Sequence, residues 1–167
     1  MVLTVLLAGL ICFSTGCRKK SSALSNDTMS GILGETDTEQ AMFGPRPGSL
    51  KILADIQVEN VLFDYDSAQI QAAERFKLEM VADYLKHQNP KAGVIIEGHC
   101  DERGSAEYNL ALGERRALAA RAYLIGLGVD GDAIQTRSLG KEVPLDAGHD
   151  ESAWRLNRRD EFVFFER

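Results

Sequence analysis

A chain of 167 residues, 44% of them hydrophobic, can bury one core and still carry extensions, which excludes disorder along its whole length. Its net charge of −6 argues against a nucleic-acid partner, because such a partner needs a basic face. The first 16 residues, MVLTVLLAGLICFSTG, hold no charged side chain and are largely apolar. The run is shorter than the roughly 20 residues a membrane-crossing helix needs, and it fits a secretory signal peptide. Ser14-Thr15-Gly16-Cys17 then has the form of a lipobox, with Cys17 as the lipidated N-terminus of the processed chain. Ser14 stands where a lipobox usually has Leu, and no basic residues precede the apolar run; an ordinary signal or a bare anchor is the alternative. With residues 1–16 removed and Cys17 lipidated, Cys100 is the one thiol left. It is either a small semi-buried side chain or one half of an intermolecular disulfide.

Residues 17–50 follow as the lipidated cysteine and a tether rich in Ser, Gly, Thr, Asp and Glu. Arg18-Lys19-Lys20 either meets anionic headgroups or is simply solvated. A coil of this length has a root-mean-square span of roughly 30 Å. The folded domain is expected over 51–167. Ile56–Asp64 alternates as a strand, and Asp66 or Ser67 can cap a helix that continues to about Gln88. That helix is expected to bury Ile70, Ala73, Met80, Tyr84 and Leu85, and Asn89-Pro90 stops it. Val94-Ile95-Ile96 is a short buried strand leading into the polar turn Glu97–Gly104.

A long helix begins near Ser105 and ends near Gly126 or Gly128. Its core stripe is Ala106, Leu110, Gly113, Ala117, Ala120, Leu124 and Leu127, with Asn109 and Arg116 sharing an azimuth beside it. Ile134–Leu139 is a third strand, Lys141–Asp150 a loop, Ser152–Asn157 a helical turn, and Arg158–Glu166 a fourth strand. The order β-α-β-α-β-β predicts an α+β domain with two helices packed on a mixed four-stranded sheet.

An acid at a strand end, with an amide and a guanidinium on the next helix, makes the parts of a pocket for a small zwitterion. Asp101 would meet an ammonium, and the planar fork of Arg116 a carboxylate. Each has a plainer reading: Asp101 as a turn cap, Arg116 as a helix-face ion pair. His99 reads as a hydrogen-bonded structural group, Glu97 as a pocket brace or a surface residue, and Glu102 and Arg103 as solvated or partner-facing. His99, Cys100, Asp101 and His149 do not make a metal site by spacing, since three successive side chains cannot converge on one ion. No nucleophile elbow, phosphate loop or dinucleotide fingerprint is present, so neither catalysis nor a cofactor is expected.

The pattern from Gly98-His99-x-Asp101 through Gly104, Tyr108-Asn109, Leu112 and Arg115-Arg116-Ala117 resembles the OmpA-like peptidoglycan-binding domain family. Glu97-Gly-His-x-Asp-Glu-Arg-Gly with Gly113-Glu-Arg-Arg-Ala is most similar to the lipid-anchored branch of that family. The resemblance covers roughly residues 58–167 and implies the OmpA-like fold. It implies that Asp101 and Arg116 bind the diaminopimelate of a peptidoglycan stem peptide, in a pocket lined by Phe63, Asp64, Tyr65, Asn109 and the Asn157-Arg158 pair. It further implies an outer membrane attachment through lipid on Cys17, facing the periplasm, and a TolB-like periplasmic partner. Glu102, Tyr108 and the segment before Phe63 are the implied partner contacts. A protein-interaction adaptor with weak or no wall binding is the alternative.

Overall fold

The computed structural model describes residues 50–54 and 56–167, so the expectations for the signal, Cys17 and all of the tether but Leu50 lie outside the described residues. The elements are β1 (Val61–Leu62), α1 (Arg75–Asp83), β2 (Ala92–His99), α2 (Ala106–Gly126), β3 (Ile134–Gly140), α3 (Glu151–Asn157) and β4 (Arg159–Glu166). The sheet order is β1-β4-β2-β3. β2 is central: it runs antiparallel to β4, from Ala92↔Glu166 to Gly98↔Asp160, and parallel to β3, from Val94↔Ile134 onward. The expected mixed four-stranded sheet is present, and α3 adds a short third helix capped by Asp150, whose carboxylate accepts from the amides of Ser152 and Ala153.

The first strand is far shorter than Ile56–Asp64. Only Val61 and Leu62 pair with β4, at Asp160 and Arg159. Farther along β4 the edge is taken by the chain around Ile52, which bridges Phe165. Ile56 and Val58 still pack against the core, so the alternation reported burial and not a ladder.

The first helix also starts late. Asp66 adopts a positive φ of 53°, and the Ser67 hydroxyl accepts from the amide of Gln69, closing a local turn where a cap was expected. Helical structure begins only with a 3-10 turn at Ala72–Glu74. The buried face is Lys77, Leu78, Val81 and Ala82, then Tyr84 and Leu85 in the terminal π turn; Met80 is exposed. Lys77 lies along this face with its ammonium on the Asn60 carbonyl and Glu74.

α2 begins as expected, with the Ser105 hydroxyl accepting from the Tyr108 amide at 3.1 Å. Its stripe holds from Gly113 through Ala117, Ala120 and Leu124, but nearer the N-terminus Asn109, Leu112 and Arg116 are buried instead of Ala106 and Leu110. A glycine pair explains the rotation. A Cβ on Gly98 would collide with the Gly113 carbonyl oxygen, and one on Gly113 would lie 2.8 Å from the Gly98 oxygen. Backbone contact between α2 and β2 therefore carries Asn109 and Arg116 over the strand end. The core beneath comprises Val61, Leu78, Val94, Ile96, Ala117, Leu124 and Phe164, with Tyr84 edge-on to Phe164 at 5.2 Å.

Candidate functional site

A pocket of about 150 Å³ opens where the turn after β1, the end of β2, the first half of α2 and the residue before β4 converge. It is lined by Tyr65, Asp66, Cys100, Asp101, Arg103, Gly104, Tyr108, Asn109, Leu112, Arg116 and Arg158. Of the expected lining residues, Asp101, Arg116, Asn109, Tyr65 and Arg158 are thus brought together. Phe63 and Asp64 do not line it. Phe63 is buried, with its ring 5.1 Å from the Arg116 guanidinium carbon, and the Asp64 side chain bonds to Gln71 on the surface. Asn157 stands aside as well. Its side chain accepts from the amides of Leu145 and Asp146 and donates to the Asp146 carbonyl, fixing the loop before α3.

Arg116 is 0% exposed, not the surface side chain a helix-face reading implies. Nε donates to the Ser67 carbonyl at 2.8 Å, Nη1 to the His99 carbonyl at 2.7 Å and Nη2 to the Asp64 carbonyl at 3.2 Å. Among the described residues no carboxylate forms an ion pair with it. Burial lowers its pKa, yet a guanidinium stays charged at any ordinary pH. The pocket floor thus carries a positive charge bonded only to neutral acceptors.

Asp101 is also buried and is heavily engaged. Oδ1 accepts from the Arg103 amide and Nε, and Oδ2 accepts from Arg103 Nη2 at 2.6 Å and Arg158 Nη1 at 3.3 Å. Burial pushes the carboxyl up, but the bonds from Arg103 and Arg158 outweigh it and hold the group below the usual carboxylate range. Arg158 is itself fixed by the Phe63 carbonyl and by Glu151. Asn109 donates to the Arg103 carbonyl at 2.8 Å, so it shapes the turn that presents Asp101.

Arg103 is the residue that the sequence reading left outside the site. Its guanidinium lies 4.0 Å from the Tyr65 ring centre and 4.1 Å from that of Trp154. Glu102 holds Trp154 in place by accepting from its indole nitrogen at 2.9 Å, and also contacts His149. An aromatic residue 51 positions away has no local signal, so only the fold reveals the stack. Cys100 is buried, its thiol donating to the Asn109 carbonyl at 3.3 Å, and burial pushes its pKa up to about 11. A buried, protonated thiol is not placed to form a disulfide with another chain.

Residues 62–158 match the OmpA family. The chain is 37% identical to the peptidoglycan-associated lipoprotein of Pseudomonas aeruginosa over 156 residues, covering 93% of this chain and 92% of that protein. It is 40% identical to the peptidoglycan-associated lipoprotein of Rhizobium meliloti over 159 residues, covering 95% and 81%. Among solved structures, the peptidoglycan-associated lipoprotein of Burkholderia pseudomallei superposes with a TM-score of 0.61 at 46% identity, over 63% of this chain and 88% of that one. The C-terminal domain of Helicobacter pylori MotB shares the fold, with a TM-score of 0.60 at 19% identity over 65% of this chain and 84% of its own. With a glycine-contacted helix, a buried arginine and an arginine-bound acid at one strand end, and relatives matched along nearly its whole length, the chain belongs to the OmpA family and, within it, to the peptidoglycan-associated lipoproteins.

Proposed function

We propose that this chain is a non-enzymatic outer-membrane lipoprotein, facing the periplasm, that binds diaminopimelate-type peptidoglycan without a covalent bond and so tethers the membrane to the wall. The observation that carries the reading is Arg116: a buried guanidinium at the pocket floor whose partners are all neutral. The free end of a diaminopimelate stem offers the carboxylate that this cation lacks and an ammonium for Asp101 about one side chain away. Lipid on Cys17 supplies the membrane end, and residues 18–50 join it to the folded domain. No helix among the described residues is long and apolar enough to cross a membrane. One stem should bind modestly, and the many stems around an anchored protein raise its effective concentration.

The test is a titration of the protein with a diaminopimelate muropeptide, with amidated diaminopimelate and lysine stems as controls. Selective binding of the free diaminopimelate form, weakened about tenfold or more in Arg116→Lys, is expected. No binding to any stem by folded protein would move the function to a protein adaptor.

A TolB-like periplasmic partner, in a Tol–Pal-like system supporting envelope integrity and division, is a second component of the proposal. It is favoured by Tyr65 and Tyr108, which stand exposed at the pocket mouth where an interface would use them. Co-purification that fails for Tyr108→Ala, but survives in a variant of exposed Met80, would support it.

A further inference from the structure

The face of the sheet turned away from α1 and α2 carries a second cluster of charged groups that the pocket does not use. Gly98, Ile96 and Phe162 face the helices, so the alternation of a strand turns Glu97, His99 and Glu161 to the other side. Glu97 and Glu161 lie directly opposite each other across β2 and β4. Two carboxylates in that register repel, and each is held from outside by an arginine: Arg137 on Glu97 and Arg159 on Glu161. His99 sits between them, 1% exposed; the Val143 carbonyl lies near the ring, and neither nitrogen makes a hydrogen bond of ordinary geometry among the described residues. A buried imidazole short of partners is costly, and with the Val143 carbonyl serving one nitrogen the other remains to bind a further group.

We propose that Glu97, His99 and Glu161 form a binding site for a divalent transition-metal cation of the zinc class. One ligand atom from each lies within 4.8 Å of the others. Tetrahedral zinc needs ligand atoms roughly 3.3 Å apart, a contraction that the half-exposed Glu161 side chain can supply by rotamer change. One imidazole with two carboxylates suits zinc or cobalt, while calcium and magnesium favour an all-oxygen shell. Arg137 and Arg159 then act as outer partners that orient the carboxylate ligands. Because they also neutralise the two acids, binding is expected at micromolar cation and not at the tightness of a structural zinc site. The exposed edge of Glu161 provides the entry path.

The test uses the full chain in detergent micelles, reduced and stripped of metal, titrated with Co²⁺ and then displaced by Zn²⁺. Expected are saturable visible d–d bands without the intense near-ultraviolet charge transfer of a thiolate ligand, which separates this site from the thiols of Cys12, Cys17 and Cys100. Affinity should fall by about tenfold or more in Glu161→Gln and in His99→Gln, with muropeptide binding unchanged in the former. Glu161→Gln guards against loss of fold at the deeper histidine. The proposal is overturned by absence of saturable binding up to about 1 mM cation, by thiolate bands carrying the signal, or by full affinity in Glu161→Gln.

Discussion

Arg116 donates from Nε to the carbonyl oxygen of Ser67 at 2.8 Å, tying the middle of α2 to the turn after β1. The same guanidinium reaches the Asp64 and His99 carbonyls, so the residue proposed to meet a ligand carboxylate also holds the turn carrying Tyr65. Arg116→Ala should therefore lose stability as well as binding. Hydrogen bonds to a charged group are each worth about 1.5–3 kcal/mol, and three are lost, the one to the His99 carbonyl from a buried site, so a loss of about 3 kcal/mol or more is expected. Arg116→Lys keeps a charge that can reach some of these carbonyls but lacks the fork, and should lose about tenfold or more in stem-peptide affinity at a smaller cost in stability. Urea unfolding beside the muropeptide titration separates the two effects. An unchanged unfolding midpoint in Arg116→Ala would contradict the stapling role.

Arg103 occupies Asp101 in the way that a ligand ammonium would, with both carboxylate oxygens engaged. An incoming ammonium has to displace or share that contact. Arg103→Ala leaves Asp101 with Arg158 as its one side-chain partner, and a gain of about threefold to tenfold in stem affinity is expected, the equivalent of one modest charge-assisted contact. Stability should fall as well, by about 1–3 kcal/mol, because the Asp101 carboxylate is only 5% exposed and loses two side-chain hydrogen bonds while Tyr65 and Trp154 lose the guanidinium between them. Weaker binding in Arg103→Ala would mean instead that the stacked guanidinium itself contacts the ligand.

How much of this was legible in the sequence differs from element to element. Ser105, the small residues of α2 and the apolar runs of the later strands are local signals, and α2, β3 and β4 appear at nearly the expected limits. Glu97-Gly-His-x-Asp marked the site because its residues are close in sequence. The first strand and the start of α1 were misplaced, since the edge of β4 accepts only Val61–Leu62 and the Ser67 hydroxyl serves Gln69. Both depend on contacts made from far along the chain. The Tyr65–Arg103–Trp154 stack and the burial of Arg116 were equally hidden: spacing placed Arg116 beside the stripe, whereas the Gly98–Gly113 contact turns it inward.

That glycine contact makes its own prediction. Gly98→Ala forces a methyl into the Gly113 carbonyl oxygen, and the neighbour is backbone on both sides, so neither can yield without moving α2 off the sheet. Overpacking of a close backbone approach costs about 1–3 kcal/mol or more, and the shift would carry Arg116 and Asn109 with it. Stem affinity should fall together with the unfolding midpoint. Gly126→Ala is the control: a Cβ there meets nothing within 4 Å, and in the last residue of α2 it should be neutral or stabilise by up to about 1 kcal/mol. Equal midpoints for the two variants would refute the role of the contact.

Asp160 sits beneath the pocket, fully buried, with neither carboxylate oxygen paired among the described residues. Burial pushes its pKa well above the usual 3.8, Glu114 pushes the same way, and the Arg116 charge pulls it back only in part. The folded state therefore keeps a proton that the unfolded chain releases. Stability from this group is fully present below pH 3.8 and is lost as pH rises toward the folded pKa, so at neutral pH it works against the fold. Asp160→Asn preserves shape and stays neutral throughout. The variant should match the parent near pH 3 and become the more stable protein above about pH 4, by about 1 kcal/mol or more at pH 7. Other groups that titrate in this window, Asp101 among them, are common to both proteins and cancel in the difference. Urea unfolding of the pair across pH 3 to 7 measures it directly, and a difference that does not change with pH would show that Asp160 is ionised in the folded protein, with Arg116 as its counter-charge.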